Sequence, residues 1–437
     1  MARTVSLIVL GILFVLAVVA AATPSLIPGR DGTTQQLAAA AIFLASYAAL
    51  AMGKIPGMLI DRAGVALVGA GLMVAAGALP LDDAYKAIDL DTITLLLGMM
   101  IVVANLRLSG FFAVANAWVA ARARRPAGLL AAVIVVSGVF SAFLVNDAIC
   151  LVLAPLVADL AKGARRNPVP YLLGVALASN VGSVATITGN PQNIMIGSLS
   201  GISYTAFAAT LAPVALAGLV MTFVLLVLLY RSEFLSGGRL TPTPPAERVN
   251  RALIARSLLA TVAVVVLFFA GQPPAKAAIV VGALLLLTRR VRSTRIYAEI
   301  DWSLLLMFSG LFIIVAGAEH ALLTPDRLAM AGRVYLEQIW VLSGLTAVLS
   351  NLVSNVPAVL MLKPFVTALP DASRAWLVVA MASTLAGNFT VLGSIANLIV
   401  VEKAARRGVT IGFWVYARAG IPLTLTTLCA GIWWLSR

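Results

Sequence analysis

Charge is scarce in this sequence. Of its 437 residues only 11% are Asp, Glu, Lys or Arg, against 61% hydrophobic, whereas soluble globular domains carry about 25% charged and about 45–50% apolar residues. That balance excludes a soluble compact fold and implies lipid as the solvent. Histidine occurs once, as His320, and cysteine twice, as Cys150 and Cys429, far apart and inside apolar segments. A disulfide framework and a metal-ligand spacing are therefore both excluded, and with no nucleophile-plus-base motif the sequence reads as a non-enzyme without cofactors. His320 reads as a solvated or interfacial residue in a loop beside Glu319, and Cys150 as a small core hydrophobe. The formal charge is +14, but the basic residues sit in short clusters between apolar runs, without the aromatic interleaving that reads bases. Nucleic acid is excluded as a partner, and the clusters become topology signals.

What is abundant is the long apolar run. Candidate spans fall at 5–22, 37–52, 65–79, 92–106, 171–197, 207–230, 252–270, 277–287, 302–318, 377–401 and 413–435. The first is an extra N-terminal span within 1–36, or a signal peptide, since Arg3 precedes it and Ala20, Ala21 and Ala22 resemble a cleavage region. Two further apolar regions, 128–161 and 342–366, are interrupted by polar tips at Asn146-Asp147 and Ser354-Asn355 with no room for an extramembrane loop. Both read as re-entrant hairpins. A return arm over 149–161 spans about 20 Å at 1.5 Å per residue, short of the roughly 30 Å hydrocarbon core.

With the N-terminus inside, basic clusters at Arg122, Arg124 and Arg125, at Lys162, Arg165 and Arg166, at Arg289, Arg290, Arg292 and Arg295, and at Lys403, Arg406 and Arg407 all fall on the cytoplasmic face. Asp82, Asp83, Asp89 and Asp91, and the mixed charge of Asp371 and Arg374, fall outside, and Lys363 and Arg418 snorkel from helix ends. The stretch 232–251, rich in Gly, Pro and Thr, reads as a cytoplasmic linker between halves 37–231 and 252–437. The halves repeat. Ser141, Asn146, Pro155 and Val157 align with Ser350, Asn355, Pro364 and Val366 at an offset of 209; Ala178, Ser179, Ser183, Thr186, Gly189 and Asn193 align with Ala382, Ser383, Gly387, Thr390, Gly393 and Asn397 at an offset of 204. One hairpin opens inward and the other outward, which is an inverted-repeat plan.

Candidate functional residues cluster where polarity meets a helix break. The segment 179–193, with Gly189 and Pro191 interrupting helical bonding, is too polar to face lipid, and Gly387 to Ser394 repeats it. Such broken helices present free carbonyls to a cation and half-helix amino ends to an anion. The candidate substrate or ion contacts are Asn146, Asp147, Ser183, Thr186, Gly189, Asn190, Gln192, Asn193, Ser354, Asn355, Asn388, Thr390, Ser394 and Asn397. Asp147 is the acidic residue placed near the membrane centre, hence the candidate for proton or ion coupling, although a capping role for its carboxylate is open as well. A sodium site is a candidate near Asn146, Asp147, Gly189 and Thr390.

At Val145-Asn146-Asp147-Ala148 through Ala154-Pro155-Leu156-Val157, and at Gly189-Asn190-Pro191-Gln192-Asn193, the chain resembles the ion-transporter superfamily in its arsenite-permease, citrate-transporter and NhaD-type branch, and most closely the bacterial inner-membrane members labelled anion transporters. The resemblance implies about eleven spans plus two hairpins, a homodimer formed by scaffold regions, and an elevator-like movement of the hairpin-bearing region. In sodium-coupled dicarboxylate members each tip carries Ser-Asn-Thr. Here the tips read Val145-Asn146-Asp147 and Ser354-Asn355-Val356, so Asn146 and Asn355 carry over as substrate or ion contacts while hydroxyls are missing at 145 and 356.

The expectation is therefore an all-α polytopic membrane protein with inward-opening hairpin 128–161, broken helix 171–197, outward-opening hairpin 342–366 and broken helix 377–401. Its expected function is secondary transport of a small anion, a carboxylate or inorganic oxyanion, coupled to protons or sodium, in a bacterial inner membrane, with the C-terminus periplasmic. A sodium/proton antiporter, arsenite or antimonite efflux, and, from a different class, a channel or membrane enzyme are the competing readings.

Overall fold

Apolar helix after apolar helix is what the composition dictates, because in lipid the backbone must satisfy its own hydrogen bonds. A computed structural model describes residues 32–52, 59–122, 124–234, 251–287, 291–322 and 335–437. The expected span at 5–22, nearly all of the linker, and Arg289 and Arg290 lie outside the described residues. The described elements are α-helices and short 3-10 turns, with no strand among them.

The first half contains α1 (Gly32–Met52), α2 (Arg62–Ala75), α3 (Leu81–Ala87), α4 (Leu90–Leu108), α5 (Phe111–Arg122), α6 (Pro126–Phe143), α7 (Asn146–Gly163), α8 (Pro168–Ser183), α9 (Pro191–Ser200), α10 (Tyr204–Leu229) and α11 (Arg231–Phe234). The second contains α12 (Arg251–Phe269), α13 (Pro274–Leu286), α14 (Ser293–Tyr297), α15 (Trp302–Leu322), α16 (Ile339–Val353), α17 (Asn355–Thr367), α18 (Ala372–Ala386), α19 (Ile395–Ala405) and α20 (Phe413–Leu435). Seven helices among the described residues, α1, α4, α6, α10, α12, α15 and α20, are long and apolar enough to cross a membrane. Local chemistry sets their ends: Pro126, Pro168, Pro191 and Pro274 open helices at N-terminal positions that need no N–H donor, and Asp61, Asn167, Ser203 and Asp371 cap them through their side chains.

The hairpins are α6–α7 and α16–α17. Their turns pivot on Val145 at φ 60° and Ser354 at φ 79°, related by the same offset of 209 that aligns the hairpins. A β-branched residue in the left-handed region is strained, and such strain persists only where the surroundings enforce it. Here the Val145 N–H donates to Thr188 O at 3.3 Å, tying the first tip to the break after α8. The return arm α7 has 18 residues, about 27 Å, not the 20 Å expected from 149–161. Length alone therefore does not stop this arm short of a full crossing; its tip is enclosed by protein, with Asn146 4% exposed. The second hairpin has arms of 15 and 13 residues, about 22 and 20 Å.

Packing follows the repeat. The outward arm α6 packs on broken helix α8 as α16 packs on α18, and each return arm crosses to the other half, α7 onto α19 and α17 onto α9. Close crossing needs small residues, since dispersion between backbones drives helix association in lipid. A Cβ on Gly182 of α8 would collide with the backbone of Gly138 on α6, as one on Gly98 of α4 would with that of Ala278 on α13. The cluster after the first hairpin meets the cluster near 407, where Arg407 Nε lies 2.8 Å from Asp159 Oδ1 and Lys162 donates to Arg407 O. His320, expected in a loop, instead sits on the last turn of α15, exposed, its Nδ1 3.2 Å from Ala78 O. Lys363, expected to snorkel, pairs with Glu319 at 3.2 Å. Cys150 is fully buried.

Candidate functional site

Helices α8 and α18 both stop in mid-bundle. Each gives way to a short 3-10 turn, Ile187–Gly189 and Val391–Gly393, before α9 and α19 resume under side-chain caps, Asn190 in one half and Ser394 in the other. Breaking a helix in lipid exposes carbonyls that need donors, and the asparagines provide them. Asn193 Nδ2 donates to Ser183 O at 3.0 Å and Thr186 O at 3.1 Å; Asn397 Nδ2 donates to Gly387 O at 2.7 Å and Thr390 O at 3.1 Å. These bonds correspond residue for residue at the offset of 204. Gly189 is needed at the first break because a Cβ there would strike Ser183 O.

The halves then exchange reciprocal bonds. Asn190 Nδ2 donates to Thr384 Oγ1 at 3.0 Å, and Ser394 Oγ donates to Asn180 Oδ1 at 3.1 Å; at the offset of 204, Asn190 corresponds to Ser394 and Asn180 to Thr384. Gln192 Nε2 joins Thr384 Oγ1 at 3.2 Å. Asn180 is the hub, 1% exposed: its Nδ2 donates to Asn388 Oδ1 at 2.9 Å and Asn397 Oδ1 at 3.0 Å, while its Oδ1 also accepts from Asn146 Nδ2 at 2.9 Å.

The direction of every amide in this chain is fixed by its ends. Asn388 Nδ2 donates to Leu177 O at 3.1 Å and Asn397 Nδ2 to carbonyls, which only accept; both must turn their oxygens to Asn180, whose own oxygen must then face Asn146 Nδ2. Asn146 Oδ1 is left over as a buried acceptor without a partner, as is Asn355 Oδ1 at the second tip and Asn351 Oδ1 one turn before it. The unpaired amide atom of Asn146 is thus an oxygen, an atom that binds cations or O–H donors.

Of the expected residues, Asn146, Asn388, Ser394 and Asn397 gather around Asn180, and Ser183, Asn190, Gln192 and Asn193 around Thr384. Thr186 turns away to donate to Ala142 O, and Thr390 supplies its carbonyl to Asn397. Ser354 shapes the second tip, and Asn355 Nδ2 lies beside Gly387. Asp147 lies beside the second break, its carboxylate against the Ala396 backbone N–H in the first turn of α19. It is half-buried in a separate cavity of about 150 Å³ with Arg107, Glu299 and Asp301, where Arg107 is ion-paired to Glu299. Of the candidate sodium set, Asn146 and the Thr390 carbonyl are linked through Asn180 and Asn397, and Asp147 lies beside them at Ala396. Another cavity, about 340 Å³, reaches the turn at Ile187 from the end bearing Asp91 and Lys276. Sequence reasoning missed Asn180 and Thr384 as site residues; the signal was available, since they correspond at the offset already in use. Arg107, Glu299 and Asp301 carried no such signal.

Two hairpins meeting two broken helices in a polytopic helical bundle define a membrane transporter. The chain belongs to the citrate transporter family, whose model matches residues 47–386. It is 30% identical to the silicon efflux transporter LSI3 of Oryza sativa subsp. japonica over 87% of this chain and 93% of that protein, and 30% identical to a 46 kDa membrane protein of Mycobacterium leprae over 90% and 97%. Among solved structures, the YdaH transporter of Alcanivorax borkumensis superposes with a TM-score of 0.58 at 15% identity, covering 92% of this chain and 97% of that one, a likeness of fold.

Proposed function

We propose that this protein is a secondary active transporter of a small oxygen-rich anion, coupled to an entering proton or sodium ion, with both hairpin tips in the binding site. The observation that carries the reading is the pair of buried, unpartnered tip oxygens, Asn146 Oδ1 and Asn355 Oδ1, on hairpins that the repeat makes equivalent. Two acceptors cannot hold a bare anion. They suit a coupling cation, while the amino end of α9 faces the anion's charge and that of α19 is met by the Asp147 carboxylate. Asp147, at the first tip and beside the amino end of α19, is the coupling carboxylate. The meeting of the clusters at Lys162 and Arg407 supports one cytoplasmic face for both, hence two halves, 37–231 and 252–437, of opposite orientation, with hairpins 128–161 and 342–366 and broken helices 171–197 and 377–401. An elevator-like movement in a homodimer, in a bacterial inner membrane with the N-terminus inside and C-terminus outside, completes the reading.

The same surplus of acceptors favours a second reading, a neutral hydroxylated solute that brings its own O–H donors, in line with the silicon named for the rice relative. Flux in purified proteoliposomes under imposed pH or sodium gradients, with a panel of carboxylates, inorganic oxyanions, arsenite and silicic acid, separates the readings. Gradient-driven uptake of an anion, lost in Asn146→Ala and Asn355→Ala, is the expected result. Uptake of silicic acid or arsenite instead selects the neutral solute, and a sodium gradient that shifts lumenal pH with no panel member moving replaces both with an antiporter. Unchanged affinity in both variants moves the site elsewhere.

A further inference from the structure

Hydroxyls buried in helices ordinarily satisfy themselves. Thr222, Thr261 and Thr427 each donate to the carbonyl four residues back, at 2.7, 2.9 and 2.7 Å, as isolated Ser and Thr in membrane helices do. Helix α16 breaks this pattern. Ser343, Thr346 and Ser350 are 1%, 0% and 1% exposed, and their hydroxyls have no partner. Spaced by three and four residues, they form a single line down one face of the helix, on an arm packed against α18 and α20. Asn351 Oδ1, on the adjoining face of α16, and Asn355 Oδ1, at the second hairpin tip, are likewise unpartnered. Five orphaned polar groups on one hairpin are far more than a native interior leaves dry, since each costs about 1–3 kcal/mol there.

A cavity stands near the start of the line. It measures about 210 Å³ and is lined by Glu337, Leu342, Asp371, Arg374 and Val378, and Leu342 directly precedes Ser343. Side chains three or four apart on a helix stand about 5–6 Å apart, which a single water spans with two hydrogen bonds of about 2.8 Å. The first half carries the feature only in part: Ser137, equivalent to Thr346, is also buried without a partner, but Ser141, equivalent to Ser350, is 2.8 Å from Ser179 Oγ, whereas Ser383, equivalent to Ser179, turns to Ala380 O at 3.3 Å. We infer that the line is a hydrated track, a row of bound waters that joins the Asp371 and Arg374 end of the bundle to Asn355 and lets water and small cations reach the second tip. It does not depend on which solute the protein carries.

The test uses thiol accessibility, read without any transported solute. In a Cys429→Ser background, with Cys150 fully buried, Ser343→Cys, Thr346→Cys and Ser350→Cys are treated in proteoliposomes with a cationic, membrane-impermeant methanethiosulfonate. Val348→Cys and Leu352→Cys, on the opposite side of α16 with parent side chains 57% and 61% exposed, are the controls. A thiol must ionise to react and does so only where water reaches it, so the three track positions should react at least about tenfold faster than the controls. Placing Thr346→Val upstream of Ser350→Cys should slow reaction at 350 by about tenfold, and Thr346→Ser should leave it unchanged. Track thiols no faster than the controls overturn the inference. So does a Thr346→Val variant that melts higher and leaves position 350 as reactive as before, because a hydroxyl packed dry is improved by its apolar isostere. Should a cysteine variant fail to insert, the Thr346→Val melting shift alone decides: no rise supports a hydrated site, and a rise refutes it.

Discussion

Asn180 is where the reading of the site is most exposed to test. Replacing it with Ala removes four hydrogen bonds at once, two donated at 2.9 and 3.0 Å and two accepted at 2.9 and 3.1 Å, and leaves four buried partners short. Inter-helix hydrogen bonds in membranes average about 0.6 kcal/mol and reach about 1.7, so the expected loss is about 2–4 kcal/mol. The assay is reversible unfolding in mixed micelles. Thr222→Val serves as the comparison, because it removes one in-helix bond and should cost less than about 0.5 kcal/mol. Double-mutant cycles of Asn180→Ala with Ser394→Ala should return coupling of about 0.5–1.5 kcal/mol, since the two share an atom. If Asn180→Ala costs no more than Thr222→Val, the amide chain does not hold the two halves together. The deduced direction of the Asn146 amide would then lose its basis.

Further outcomes follow from other positions. Asp147→Asn should leave the protein inserted and folded while ending dependence of flux on the pH or sodium gradient; wild-type gradient dependence in that variant refutes the coupling role. Val145→Gly relieves the positive φ at the first tip but removes a side chain only 6% exposed, so about 1–3 kcal/mol of relieved strain offsets a burial loss of similar size and stability should change by less than about 1 kcal/mol while transport slows; a loss above about 3 kcal/mol argues against strain there. Gly182→Val should prevent insertion or cost more than about 3 kcal/mol, since its side chain would overlap the Gly138 backbone, and a well-folded variant refutes that crossing. Arg407→Ala should cost less than about 1 kcal/mol by chemical unfolding, as its partner Asp159 is 57% exposed.

Much of the architecture was legible along the chain because lipid makes backbone satisfaction local. Apolar runs had to be helices, the Gly189-Asn190-Pro191 and Gly387-Asn388 segments had to be breaks, and the tips at Asn146 and Asn355 had to turn. The internal offsets were legible too, and the reciprocal bonds between Asn190 and Thr384 and between Ser394 and Asn180 follow them. The return arm α7 was misjudged in length because Asn146 and Asp147 were read as loop, whereas polar residues are favoured at a helix start and Asn146 opens the helix.

The sequence by itself determined which segments are helical, where they break and which residues are too polar for lipid, since each of these is decided within a few residues. Only the tertiary structure decided which atom of each amide is free, because that depends on where the carbonyls of Leu177, Gly387 and Thr390 lie across the bundle. It alone brought Arg107 of α4 and Glu299 and Asp301 of the turn between α14 and α15 to Asp147, and separated the hydroxyls of α16, which have no partner, from those that bond their own helix. Spacing along a chain fixes a face, but what stands opposite that face is settled by packing.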